Sequence, residues 1–265
     1  MKMINNPQEE PYFHRFVSLG YTPLNYSEKH YIFAKGNKVI KIARSVYNTL
    51  QTDESYYIEK AAHDLLIEHG MPVVNIGKIY QKGELIEDFT VLEEDRVEGE
   101  IFYRKNCDVA LLSQVVCFMQ RAAQITAPSF GFFEKDRRAQ FSSWRSFLKS
   151  VIDRANPQRK GILYKGLDMV PRLSEASFVP SDCNMANFIF RGGRLKCVID
   201  IERPLWGGKN FIYGMFKARN ESLLHCVTEK FDDKLVDYYA QIYECMFYGK
   251  CFAERYIDSA NLSSE

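Results

Sequence analysis

The chain has 265 residues, 46% of them hydrophobic, enough to bury two packed lobes or one large domain. Its 35 basic and 34 acidic residues nearly cancel, and without a basic stripe, an apolar span of membrane length or a signal peptide the expectation is a cytoplasmic protein that engages neither nucleic acid nor membrane. The seven cysteines are odd in number and never spaced Cys-x-x-Cys, which predicts reduced thiols and no structural zinc.

In chain order, the first expected element is a helix around Pro7 to Leu19. The turn from Leu24 to His30 contains no Gly, and its Ser27 suits a solvated turn. Tyr31 to Ala34, a Gly36-Asn37 turn and Val39 to Ala43 read as a hairpin whose alternation turns Lys41 inward. Asp53 to His69 has apolar residues at Ile58, Ala61, Ala62, Leu65 and Leu66, with Gly70 as a left-handed stop, Pro72 beyond it and Glu59 in its first turns. Strands are expected near 76 to 81 and 85 to 92. After the acidic stretch Val91 to Gly99 the pattern turns helical: Asp108 caps a helix through Gln124, with Val109, Leu112, Val116, Met119 and Ala123 at helical spacing. Further helices are expected near 140 to 155, 166 to 175, 216 to 229 and 231 to 248. Phe130, Phe132, Trp144 and Phe147 read as packing residues.

The most informative segment lies between these helices. Pro180-Ser181-Asp182-Cys183-Asn184-Met185-Ala186-Asn187 is followed by Phe188-Ile189-Phe190, a Gly192-Gly193 turn and Cys197-Val198-Ile199-Asp200-Ile201-Glu202. This reads as a loop and a two-stranded ribbon that bring Asp182, Asn187 and Asp200 to one end. Three such oxygen-bearing groups suit a hard cation bridging phosphates, with the remaining group free to orient a hydroxyl. The same residues also suit the solvated ends of an ordinary hairpin, and Lys41 and Glu59 could be two surface charges. The order Lys, Glu, Asp, Asn, Asp along one chain favours the site.

At Asp182, Asn187, Asp200 and Glu202 the sequence resembles the aminoglycoside phosphotransferase family of small-molecule kinases, whose loop usually reads His-Gly-Asp-x-x-x-x-Asn. Gly70-Met71-Pro72-Val73 resembles that family's Gly-x-Pro-Val stretch, and Val91 to Gly99 its interlobe hinge. The resemblance implies an α+β, two-lobed protein-kinase-like fold, with a small β-rich N-lobe over residues 1–95 and a larger helical C-lobe over residues 96–265. It also implies ATP and Mg2+ as cofactors and a small-molecule hydroxyl acceptor as partner. Asp182 would then orient the acceptor, Asn187 and Asp200 would hold the metal, Lys41 fixed by Glu59 would clamp the α and β phosphates, Ser27 in the glycine-free turn would contact a phosphate, and backbone near Asp95 and Val97 would meet the adenine. Glu202 would help shape the site. Two departures stand out: Pro180 replaces the usual His, and Gly208-Lys209 replaces the usual Asp-Pro, both positions that brace the catalytic loop in the family.

These departures keep a second class open, a pseudokinase or nucleotide-binding module without turnover. A protein kinase fits less well, since no Asp-Phe-Gly or Ala-Pro-Glu segment follows the metal-binding strand. For the acceptor, Glu229, Asp232, Asp233 and Asp237 could neutralise a polycation, but helix capping accounts for them better. The expectation is therefore an acceptor with a hydroxyl and at most one or two amines.

Overall fold

Alternating burial builds the N-terminal sheet. The computed structural model of the protein describes residue 8 and residues 10–26, 30–44, 53–102 and 108–247. A short helix α1 (Phe13–Ser18) leads into strands β1 (Thr22–Tyr26), β2 (His30–Lys35) and β3 (Lys38–Ala43), then helix α2 (Asp53–Glu68) and strands β4 (Ile76–Tyr80) and β5 (Val91–Asp95). The five strands form one antiparallel sheet in the order β1-β2-β3-β5-β4. Tyr31, Phe33, Ile40, Ile42 and Val91 pack with Tyr12 and Phe16 on the α1 side. On the opposite face Leu92 clusters with Tyr56 of α2 and with Ile76 and Ile79 of β4. Residues paired directly across an antiparallel ladder share a face. The pairs Lys41↔Leu92 and Val39↔Glu94 therefore put Lys41 and Glu94 on the α2 side.

The expected strand over 85 to 92 is corrected to Val91–Asp95. Leu85 and Ile86 pack sideways onto the α1-side cluster from a bent loop rather than from a ladder. The opening helix is likewise confined to Phe13–Ser18 among the described residues.

Beyond β5 the chain forms β6 (Glu100–Ile101), α3 (Val109–Ala122), β7 (Thr126–Ala127), β8 (Gly131–Phe132), α4 (Trp144–Asp153) and α5 (Pro157–Gly166). Next come β9 (Ala176–Val179), β10 (Phe188–Arg191), β11 (Arg194–Val198) and β12 (Leu205–Gly207), then α6 (Phe211–Arg219), α7 (Glu221–Leu224) and α8 (Asp233–Phe247). Asp108 caps α3 as expected, its carboxylate accepting the Leu111 N–H at 2.9 Å, and Leu112, Val115, Val116 and Met119 are buried along one stripe. Two expected helices are displaced. The helix placed at 166 to 175 lies at Pro157–Gly166, because Asn156 accepts the Gln158 N–H and Pro157 presets the first turn. The helix placed at 216 to 229 begins at Phe211 and breaks at Asn220, whose φ of −154° and ψ of 83° leave the helical region. The short strands β7, β8, β9 and β12 form a four-stranded sheet with no counterpart among the expected elements.

The two parts meet at the ribbon β10–β11. Gly192 and Gly193 close it with φ of 57° and 74°, the left-handed pair that a two-residue hairpin turn requires. Val198 N donates to Pro72 O at 2.8 Å and Val74 N to Val198 O at 3.0 Å, which joins the segment after α2 to the ribbon. On its other edge β10 pairs with β6. A Cβ at Gly99, just before β6, would lie 2.4 Å from Ile189 Cγ2 and 2.5 Å from Phe190 O. Only glycine permits that approach.

Candidate active site

Lys41 is buried at the centre of the site. Its position on β3 faces α2, where Glu59 presents its carboxylate from the same face as the helix's buried residues Ala62 and Leu66. Lys41 Nζ lies 3.0 and 3.1 Å from the two Glu59 oxygens, contacts Asp200 Oδ1 and lies 3.6 Å from Glu202 Oε1. Glu202 in turn lies 3.8 Å from His30 Nδ1. Burial alone would lower the Lys41 ammonium, but Asp200, Glu59 and Glu202 outweigh it and hold the group well above its ordinary value. Burial raises Glu59 to about 8 against the pull of Lys41. Asp200 is raised by burial as well, with Glu202 and Asp182 adding to it and Lys41 opposing. Three carboxylates thus share one ammonium, and the cleft has an excess of negative charge suited to a cation.

The residues of the loop from Pro180 to Asn187 converge on the same place. Asp182 Oδ1 accepts the Asn184 N–H at 2.9 Å, and Asp182 Oδ2 accepts from Asn187 Nδ2 at 3.2 Å. Asn184 in turn caps the single helical turn Met185–Asn187 through the Ala186 N–H. Ile199 N donates to Asn187 O at 2.9 Å, binding the loop to the strand that ends in Asp200. Asp200 itself has φ 64°, a left-handed conformation uncommon for a residue with a side chain. Asn187 gives its amide N–H to Asp182, which leaves its side-chain oxygen out of that bond. Among the described residues no three His, Cys, Asp or Glu side chains form a metal-holding group. An ion held by Asn187 and Asp200 would complete its shell with phosphate and water oxygens, which is magnesium's habit.

Lys41, Glu59, Asp182, Asn187, Asp200 and Glu202 are therefore brought together. Ser27 lies outside the described residues. Asp95 turns its side chain to Lys38 Nζ at 2.7 Å and Asn75 Nδ2 at 3.2 Å, and its N–H donates to Asn75 O, so its carboxylate faces neither Lys41 nor Asp200. Val97 packs against the small cluster of Val74, Ile189 and Cys197, together with Ile199.

Three participants carried no sequence signal of their own. Tyr243 of α8 donates its hydroxyl to Ser181 O at 2.6 Å in a buried bond, bracing the loop beside Asp182. Neither Pro180 nor Gly208 carries a side-chain donor that could make such a bond. A Cβ at Gly208 would lie 3.1 Å from Trp144 Nε1, so the indole fills the space a brace from that position would need. Arg219, the last residue of α6, lies 3.7 Å from Asp182 Oδ1. Glu94 is buried on the Lys41 side of the sheet, where burial raises its carboxyl to about 7, partly offset by Lys41.

No family model and no curated protein sequence matches the chain. Solved structures do. A thermostable mutant of aminoglycoside phosphotransferase APH(4)-Ia, in ternary complex with AMP-PNP and hygromycin B, is 15% identical and superposes with a TM-score of 0.64 over 94% of each chain. The GDP complex of an aminoglycoside 2'-phosphotransferase-IIIa mutant is 12% identical, with a TM-score of 0.57 over 95% of this chain and 94% of that one. Amicoumacin kinase hAmiN, in complex with AMP-PNP, Ca2+ and Ami, is 12% identical, with a TM-score of 0.50 over 84% of this chain and 72% of that one. At these identities the likeness is one of fold. The chain has the α+β, two-lobed protein-kinase-like architecture found in aminoglycoside phosphotransferases and related small-molecule kinases.

Proposed function

We propose that the protein is a magnesium- and ATP-dependent phosphotransferase acting on a hydroxyl of a small molecule, with the lobe boundary near Asp95. The observation that carries this reading is the joining of Lys41–Glu59 to Asp182–Asn187 through Asp200 and the Asn187–Ile199 backbone bond. Lys41, held by Glu59, would bind the α and β phosphates. Asn187 and Asp200 would hold magnesium, which neutralises phosphate charge. Asp182 would orient the acceptor hydroxyl so that its oxygen forms a bond to the γ phosphorus as the bond to ADP breaks, and would take up the hydroxyl proton. Rate would come mainly from positioning and electrostatic stabilisation. The neighbours crystallised with AMP-PNP, hygromycin B or Ami support nucleotide binding and a small acceptor.

The surroundings favour a lightly charged acceptor. Glu229 accepts from Gln120 at 2.8 Å and lies 3.4 Å from Lys209, Asp232 caps α8 through the Lys234 and Leu235 N–H groups, and Asp237 pairs with Lys217. With these carboxylates engaged and Arg219 beside Asp182, a polycation would meet little compensation on leaving water. A screen of amino alcohols, sugars, hydroxy acids and aminoglycosides, following ADP release, tests the reading. Turnover is expected on at least one of the lighter acceptors. ATP binding without turnover on any acceptor would leave a nucleotide-binding module instead.

No helix among the described residues is long and apolar enough to cross a membrane. The five described cysteines form no disulfide.

A further inference from the structure

A cavity of about 610 Å³ opens where the ends of α2 and α3 meet β7 and β12, and none of Lys41, Glu59, Asp182, Asn187, Asp200 and Glu202 lines it. Its inner wall is apolar, made by the buried side chains of Leu65, Met71, Ile125 and Trp206. Its rim is basic: Arg121, Arg137 and His69 line it, and no Asp or Glu does. The two guanidinium groups are not equivalent. Arg137 is held end-on by Glu68, both terminal nitrogens lying 2.7 Å from the carboxylate oxygens, and its carbonyl accepts the Trp206 Nε1–H at 2.8 Å. Arg121, in the last turn of α3, has no acceptor for its guanidinium among the described residues. The dipole alone favours a cation in a last turn. The carbonyls there are nevertheless already bonded, Arg121 O by Gln124 N and Ala122 O by Ile125 N, each at 3.0 Å, and Gln120 O by Gln124 Nε2 at 3.2 Å. An unpaired cation beside an apolar wall is then left over.

We propose that this cavity is a second binding site, separate from the nucleotide cleft, for a small organic anion with an apolar body and a single carboxylate. The body would lie against Leu65, Met71, Ile125 and Trp206, and the carboxylate would accept paired N–H groups from Arg121, whose planar fork matches two oxygens. An apolar wall with a few polar groups at one side is the usual build of a small-molecule pocket. Arg137 adds less, since Glu68 already offsets its charge. An ammonium ligand of the same shape would meet a basic rim with no lining carboxylate to receive it. Because Leu65 and His69 belong to α2 and Arg121 to α3, such a ligand would touch the helix that carries Glu59 and the helical part of the chain at once. The inference does not depend on the nucleotide reading above.

Three probes of one shape test this on the full chain at low ionic strength: phenylbutyrate, its neutral amide phenylbutyramide and the cation phenylbutylamine, followed by calorimetry and by the methyl NMR signals of Met71 and Ile125. Phenylbutyrate is expected to bind roughly fivefold or more tightly than the amide, the low end for a charge-assisted hydrogen bond open to solvent, with the amine weakest. Both methyl signals should shift saturably with it, and magnesium-ATP should not displace it. Arg121→Met keeps the aliphatic stem at an exposed position and removes the fork, and is expected to bring acid and amide within about twofold at an unchanged urea midpoint. Equal wild-type affinity for acid and amide, methyl signals that stay in place, displacement by magnesium-ATP, or an acid preference kept in Arg121→Met overturns the site. Failure of the wild type to bind any of the three overturns it as well, and leaves ATP binding at the other cleft untouched.

Discussion

Replacing Tyr243 by Phe removes one hydroxyl and keeps the ring, with its contact to Phe247 at 4.7 Å between centroids. The lost bond is the 2.6 Å donation to Ser181 O. Burial holds the Tyr243 hydroxyl above its ordinary value, with Cys183 and Asp182 adding to the effect, so the group remains a donor across the accessible pH range. Ser181 is 7% exposed, and water cannot readily replace the donor. An acceptor left unsatisfied in this way costs about 1–3 kcal/mol. Asp182 is the next residue, so the penalty is expected to appear partly as lower stability and partly as a misplaced catalytic carboxylate. If it fell entirely on the transition state, transfer would slow by roughly 5- to 150-fold. ATP binding, which depends on Lys41 and the metal ligands, should change by less than about threefold, as for a loss confined to the transition state. Urea midpoints, ATP affinity and transfer rate on one acceptor separate these effects. A Tyr243→Phe protein with the wild-type midpoint and the wild-type transfer rate would refute the idea that α8 braces the loop.

Other perturbations probe different parts of the site. Asp200→Asn is expected to weaken magnesium-dependent ATP binding by on the order of tenfold or more, because a carboxylate is lost from the ion; equal affinity for mutant and wild type, with and without magnesium, would remove Asp200 from the metal role. His63 is fully buried, with Nδ1 2.8 Å from Val74 O, and burial lowers it to about 4. The folded chain therefore resists protonating a group that the unfolded chain protonates near 6.5, so its contribution to stability is complete above that pH and is lost as pH falls toward 4, by about 3 kcal/mol. His63→Gln should flatten that part of the stability curve measured by denaturant unfolding, and an unchanged slope would show that other groups set it. Gly99→Ala should destabilise by about 1–3 kcal/mol through overpacking against Ile189 and the Phe190 backbone, and an unchanged melting temperature would show that β6 can shift without cost.

The parts of the molecule legible in the sequence are those specified locally. Lys41 turns inward because the hairpin alternates, Asp108 caps α3 because its side chain reaches Leu111 N, and Gly192-Gly193 can close only a tight turn. The spacing of Asp182, Asn187 and Asp200 likewise encodes a loop and a ribbon whose ends must meet. What sequence reading missed depends on contacts distant along the chain. Tyr243 looks like any other aromatic on an amphipathic helix until α8 packs beside the loop, and Arg219 until α6 ends next to Asp182. Glu94 looks like one of three adjacent acids, and only the β3–β5 pairing separates it from the solvent-facing partners of Lys38. The misplaced helix at 166 to 175 is a different kind of error, since the Asn156-Pro157 start was present locally and outweighed the apolar pattern that follows it.

The central claim is that Asp182 acts on the acceptor while Lys41, Asn187 and Asp200 act on the nucleotide. Its most direct test compares phosphoryl transfer and ATP affinity in the wild type and in Asp182→Asn, using one acceptor found by ADP release. Transfer is expected to fall by on the order of a hundredfold or more with ATP affinity within about threefold of wild type. A transfer rate near wild type in Asp182→Asn, or a loss of ATP binding as large as the loss of transfer, would contradict it.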